Sequence, residues 1–214
     1  MTGDLPVSKR IIVDLCGGTG SWSKPYKEAG YDVRLITLPE YDVRTYEPPE
    51  NVYGILAAPP CEAFSNNLSF NGKKDFNRTM TKEQGLEIVS ACLRIIDKCK
   101  PQWWALENPR GGLKKHLKHF YQFTFQPYEY GDPWTKKTDV FGYFHVPKKT
   151  HTWETCEKLE LYTRPLRNKP SFAFLHKGAI KAIPQLAGFK ADTDAAFRAI
   201  TPPGFAQAFF EANR

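Results

Sequence analysis

The sequence predicts a doubly wound α/β domain on a mostly parallel sheet, and three observations carry that prediction. Short apolar runs alternate with helical patterns through the first half of the chain. A glycine-rich turn follows the first of these runs, and polar or glycine-bearing groups recur where later runs end. In such sheets ligands gather at the carboxyl ends of the strands, so these groups converge on one site.

Taken in order, "RIIVDL" (10–15) reads as a buried strand that ends in "CGGTG", with a helix behind it from Ser21 to about Ala29. "YDVRLITL" (31–38) is the next strand and "YDVRTY" (41–46) a short third. "VYGILAA" (52–58) is a fourth, stopped by Pro59 and Pro60, which cannot donate to a ladder. Residues 62–79 are polar and read as a loop. Thr81 and Gln84 form a capping box for a long helix to about Lys100, with Leu86, Val89, Leu93 and Ile96 at helical spacing. "QWWALE" (102–107) is a strand ending on an acid. "FYQFTFQPY" and "TDVFGYF" read as late, antiparallel strands at an edge, and "TPPGFAQAFFEANR" as a proline-started helix.

At 214 residues, 41% apolar and 25% charged, the chain suits one domain with a sizeable core and excludes a largely disordered protein. The first ten residues lack the apolar stretch of a signal peptide, and no apolar run approaches the ~18 residues of a membrane span, so a cytoplasmic protein is expected. Five cysteines (16, 61, 92, 99 and 156) without CxxC spacing argue against zinc and against a disulfide framework. No metal is expected. The net charge of +7 is compatible with a nucleic-acid partner. From 147 to 181, eight Lys/Arg stand against three Glu, with Trp153, Tyr162, Phe172 and Phe174 interleaved. That stretch is either a solvated linker or a phosphate-contacting surface with stacking groups.

Three short motifs carry chemistry. "DLCGGTGSW" could serve a dinucleotide, a nucleoside or merely a tight turn; no GK[ST] follows, so it is not a phosphate loop. Free cysteine is among the most buried residue types, so Cys61 in "PPCEAFS" would by itself be read as packing. Its company with "ALENP" changes that reading. A cysteine suits addition to an electron-poor ring because it is strongly nucleophilic and leaves again readily, and a nearby carboxylic acid can protonate the ring as it attacks.

In this order the motifs resemble those of the DNA cytosine-C5 methyltransferases. Asp14 to Gly20 are similar to DxFxGxG, Pro60 to Ser65 to PCQxFS, and Glu107-Asn108-Pro109 to ENV. The resemblance spans roughly residues 10 to 145 and identifies a compact, phage-like member with a minimal target-recognition region. It implies the S-adenosylmethionine-dependent (Rossmann-like) methyltransferase fold and S-adenosylmethionine as methyl donor. It implies transfer to carbon 5 of cytosine in DNA through a covalent Cys61 adduct on a base flipped from the duplex.

Carried over by position, Cys61, Glu107, Asn108 and Lys137 form the catalytic set. Asp14, Leu15, Cys16, Gly17, Gly18, Thr19 and Gly20 line the donor, with Trp22 facing its adenine or packing beneath it. Asp42 reaches the adenine amino group and Val43 packs on the ring, while Ala58 and Pro60 touch the donor from the catalytic strand. Ser65, Asn66, Lys136 and Thr138 are carried over to the substrate. Cys16 apart, the other cysteines remain packing or surface thiols.

Three departures from the family pattern stand out. Glu62 replaces a glutamine, "TKKT" replaces QxRxR, and little chain is left for target recognition. The organisation implied is a catalytic core over 1–146, a short basic recognition segment over 147–190 and a returning C-terminal helix over 191–214. A monomer acting on duplex DNA with a short or absent sequence requirement is the expectation. The same chemistry on a cytidine nucleotide, single-stranded DNA or RNA is the alternative, as is a catalytically silent module that binds donor and nucleic acid.

Overall fold

The protein was examined as a computed structural model describing residues 5–64, 80–158, 170–172, 183–186, 188–189 and 193–214. Its six-stranded sheet has strands β1 (Ile11–Leu15), β2 (Asp32–Ile36), β3 (Val52–Ala57), β4 (Trp103–Pro109), β5 (Tyr121–Phe125) and β6 (Thr138–Tyr143) in the order β2-β1-β3-β4-β6-β5. The first four are mutually parallel, and β6 runs antiparallel to both β4 and β5. This is the α/β, Rossmann-like architecture that the sequence predicts, with β6 inside the sheet and β5 at its edge.

The apolar runs are continuous because the sheet is covered on both faces. Alternate side chains go to opposite cores: Val13, Leu15, Ile55, Trp104 and Leu106 to one, Ile12, Leu56, Trp103 and Ala105 to the other. Helix α2 (Lys82–Cys99) covers the first face with Val89, Cys92, Ile95 and Ile96. Its capping box is formed as expected, with Gln84 N–H donating to the Thr81 hydroxyl. Helices α1 (Lys24–Glu28) and α4 (Pro203–Ala212) cover the second face, where Phe205 stacks on Phe125 at 3.9 Å and Trp22 meets the edge of Phe209 at 5.4 Å. A short helix α3 (Asp194–Ala199) precedes α4. Among the described residues no helix is long and apolar enough to cross a membrane.

Two expectations change. Residues 41–46 form a turn rather than a strand. The Asp42 carboxylate accepts from Arg44 N–H, the Asp42 carbonyl accepts from Thr45 and Tyr46, and Arg94 of α2 donates to the carbonyls of Val43, Arg44 and Tyr46. A side chain that bonds its own backbone in this way competes with a sheet ladder. The strand read as ending at Glu107 instead continues to Pro109, because β6 pairs with it as far as Pro109 opposite Thr138. Most of the loop read over 62–79 lies outside the described residues.

β6 approaches β4 too closely for any side chain at Gly142. A Cβ there would lie 2.1 Å from the Trp104 carbonyl oxygen, and its φ of 136° disfavours every other residue. Gly142→Ala should therefore lower stability by about 2 kcal/mol or more, read as a fall in the urea midpoint at unchanged slope.

Candidate active site

Parallel pairing aligns the strand ends. Leu15 lies opposite both Ile36 and Ala57, and Ala57 opposite Leu106, so the segments after β1, β2 and β3 and the end of β4 share one edge. Two further bonds seal that alignment: Cys16 N–H donates to Ile36 and Ala58 N–H to Leu15.

The first turn is tightly wound. Cys16, Gly18 and Gly20 have φ values of 56°, 53° and 68°. Gly17 has no room for a Cβ, which would lie 2.5 Å from the Asp14 carboxyl carbon, whereas the space beside Gly18 is open. Asp14 is fully buried; the Ser23 hydroxyl donates to its Oδ2 at 2.5 Å, and its Oδ1 has no partner. Burial raises its pKa to about 7 against the opposing Ser23 bonds. Leu15 is buried and Cys16 half-buried in the α2-face core. Thr19 is half-buried. Ser21 accepts from Thr201 N–H and ties the turn to the C-terminal segment. Trp22 lies under the turn among Phe205 and Phe209 rather than on its open side.

After β2, Arg44 grips the Asp42 carboxylate and pulls its pKa down to about 2. Val43 is buried in the α2-face core. Thus Asp42 is ionised but already paired, and Val43 offers little open surface.

The segment after β3 carries Cys61. Ala58 and Pro60 are half-buried at the edge, and Pro59 carbonyl accepts from the Asn108 amide at 2.9 Å. Ala63 and Phe64 plug this segment into the protein. A Cβ on Gly85 of α2 would lie 2.4 Å from the Ala63 Cβ, and one on Gly111 would lie 2.2 Å from the Phe64 carbonyl, which accepts from Gly112 N–H. Glu62, the unusual residue beside the cysteine, accepts from Met80 N–H at 3.3 Å. It therefore ties the cysteine segment to the residue just before α2, an internal role for an acceptor-only side chain. Ser65 and Asn66 lie outside the described residues.

Cys61 keeps solvent-exposed surface. Surrounding protein nonetheless pushes its thiol pKa up; the Lys136 charge opposes this and Glu107 adds to it. Glu107 is buried, its Oε2 has no partner, and desolvation raises its pKa against the pull of Lys136. Asn108 is buried with its Oδ1 unpaired.

The two lysines separate here. Lys136 acts on both Cys61 and Glu107 and donates to the Ile200 carbonyl. Lys137 is exposed, and its carbonyl accepts from Arg110 N–H. Thr138 is buried, its hydroxyl donating to the Lys136 carbonyl. Lys136 is held in place because Thr135 N–H donates to Pro170 and Phe172 N–H donates back to Thr135, with Trp134 against Phe172. Among the described residues no group of three or more His, Cys, Asp or Glu could hold a metal.

The model of the C-5 cytosine-specific DNA methylase family matches residues 21–141, more than half of the chain. The chain belongs to this family. The Rossmann-like fold agrees with that membership. Solved structures similar to it include a proposed DNA modification methyltransferase encoded within an E. coli prophage (16% identity, TM-score 0.44, covering 63% of this chain and 47% of that one). Others are the Entamoeba histolytica methyltransferase EhMeth (13%, 0.42, 71% and 58%) and the S. pombe Dnmt2 methyltransferase (13%, 0.38, 63% and 48%). The chain spans about half the length of these structures. No curated protein matches it.

Two outcomes test the electrostatics. A carboxyl whose pKa is raised by folding binds more protons in the native state, so its contribution is complete below about pH 4 and is lost as pH rises through about 7. The urea midpoint should fall across that window, and Asp14→Asn should flatten part of the fall, on the order of a few kcal/mol at most. Lys136→Gln should move the pH dependence of Cys61 alkylation upward; an unchanged inflection would mean that the Lys136 charge does not reach the thiol.

Proposed function

We propose that this family member transfers a methyl group from S-adenosylmethionine to carbon 5 of cytosine in DNA, through a covalent adduct of Cys61 with a base turned out of the duplex. One observation carries the reading: an accessible cysteine and a buried, unpaired carboxyl at neighbouring strand ends, with one lysine charge acting on both. Carbon 5 of cytosine is a poor nucleophile. Addition of the Cys61 thiolate at carbon 6 makes it enamine-like, and the ring nitrogen N3 must gain a proton or a strong hydrogen bond as this occurs. Glu107, whose pKa burial raises, is suited to donate there. Asn108 holds the cysteine segment through Pro59 and keeps an acceptor free for the amino edge of the base. Lys136 favours the thiolate over the thiol. After transfer, loss of the carbon-5 proton lets Cys61 depart.

The first turn fits the donor. Asp14 has an unpaired buried oxygen, Gly17 keeps the floor free of a side chain, and the space beside Gly18 is open. Leu15 to Gly20, Ala58 and Pro60 would hold S-adenosylmethionine, which supplies an electrophilic methyl group when bound. Trp22 would support that floor from below, and Asp42 would need to share its carboxylate between Arg44 and an adenine amino group.

The test is incubation with S-adenosylmethionine and, separately, duplex DNA, single-stranded DNA, RNA or deoxycytidine monophosphate, followed by digestion and mass detection of 5-methylcytosine. Product is expected with duplex DNA. Cys61→Ala should abolish it while retaining donor binding, and Glu107→Gln should slow turnover roughly 10²–10⁴-fold, the range for a positioned acid. Methylation that survives in Cys61→Ala would falsify the covalent route.

A further inference from the structure

The described ion pairs divide the surface unevenly. Around β2, α1 and α2 five cations have acidic partners, Lys24 with Glu28, Arg34 with Asp32, Arg44 with Asp42, and Arg94 and Lys98 with Glu47, although Lys27, Lys82 and Lys100 there are in none of the described ion pairs. Beyond the end of β4 this stops. No acidic residue occurs between Glu107 and Glu129, while Arg110, Lys114, Lys115 and Lys118 fall within that interval, with His116 and His119 among them. Among the described residues none of these four cations is in an ion pair.

The strip is built onto the rigid body of the site. Leu113 and Leu117 are buried in the α2-face core and Phe120 meets the Trp104 ring at 5.2 Å, so the 3-10 turns at Gly112–Lys115 and Lys118–Phe120 turn their basic side chains outward. Arg110, Lys115 and Lys118 are exposed, and Lys114 lies 3.3 Å over the Tyr121 ring. Gly112 N–H is bonded to the Phe64 carbonyl, three residues from Cys61, and Arg110 N–H to Lys137. A charge on this strip is thus held at a set position relative to the cysteine.

We propose that Arg110, Lys114, Lys115 and Lys118 are a phosphate-contacting strip that holds duplex DNA beside the cytosine site. This rests on the function proposed above and extends it to where the flanking duplex lies. The form of the polyanion follows from what the strip lacks. A single strand is gripped by free aromatic faces as well as charge, but Phe120 packs on Trp104 and Tyr121 is covered by Lys114. A membrane surface would take exposed aliphatic anchors within the patch; among the described residues the exposed large hydrophobics are Val7, Leu38, Tyr41, Tyr143 and Val146, and of these Tyr143 borders the strip, its ring set edge-on to Phe120 at 6.1 Å. Charge with no free Phe, Tyr or Trp face within the strip matches a backbone whose bases are stacked inside.

The test measures binding of a 30-base-pair duplex across a salt series, in the Cys61→Ala protein and without donor, so that it does not depend on turnover. Lys114→Gln/Lys115→Gln/Lys118→Gln should reduce the slope of log affinity against log salt by about 2 to 3, and affinity at 0.1 M salt by roughly tenfold or more. A control, Lys24→Gln/Arg34→Gln/Lys98→Gln, should leave both nearly unchanged. Lys118→Gln alone, with a slope change of about 1, serves if the triple variant is poorly folded by thermal melting. An unchanged slope, an equal loss in the control, or tighter binding of single-stranded RNA than of duplex would overturn the proposal. A strip-dependent slope in a protein that makes no 5-methylcytosine would instead count against the methyl-transfer reading and leave the strip standing.

Discussion

Hydrogen bonding between parallel strands is the constraint on which the site depends. A parallel pair has both strands ending at the same edge, so β1, β3 and β4 deliver the glycine turn, Cys61 and Glu107 to one place although they are far apart in sequence. An antiparallel partner would send its end to the opposite edge. The antiparallel strand β6 contributes from its beginning instead, and Lys136, two residues before Thr138, arrives at the same edge for that reason. Aromatic packing of α1 and α4 on one face and aliphatic packing of α2 on the other keep this edge supported from both sides.

Burial then differentiates three carboxylates by environment. Asp14 and Glu107 lie inside the protein with one oxygen each left unpaired, and desolvation favours their neutral forms. Asp42 lies outside against Arg44 and is held ionised. The same side-chain chemistry is thereby pushed toward the neutral form at two strand ends and toward a fixed charge at another. Lys136 sits between effects of opposite use: its charge favours the Cys61 thiolate, yet it also draws Glu107 toward ionisation, so burial of Glu107 has to outweigh it.

Close packing fixes the cysteine segment. Ala63 and Phe64 are seated against Gly85, Gly111 and Gly112, positions where a side chain or a displaced amide would push the cysteine segment away. Glu62 ties this segment to Met80. The described residues thus join the candidate site, its anchoring contacts and a basic flank without acidic partners.

The sequence alone was enough for the strand and helix pattern, the glycine turn, and the association of Cys61 with Glu107 and Asn108, because these follow from local periodicity, breakers and motif order. The capping box at Thr81 was equally local and is present. The turn at 41–46 was misread because Arg94, some fifty residues away, supplies the donors that its carbonyls require. Ser23 as the partner of Asp14, Glu62 as a bridge, and Lys136 rather than Lys137 as the charge felt at the site needed the tertiary structure. Spacing cannot say which of two adjacent lysines faces inward: neighbouring residues on an extended segment point to opposite sides, and only the docking of Thr135 and Trp134 chooses between them.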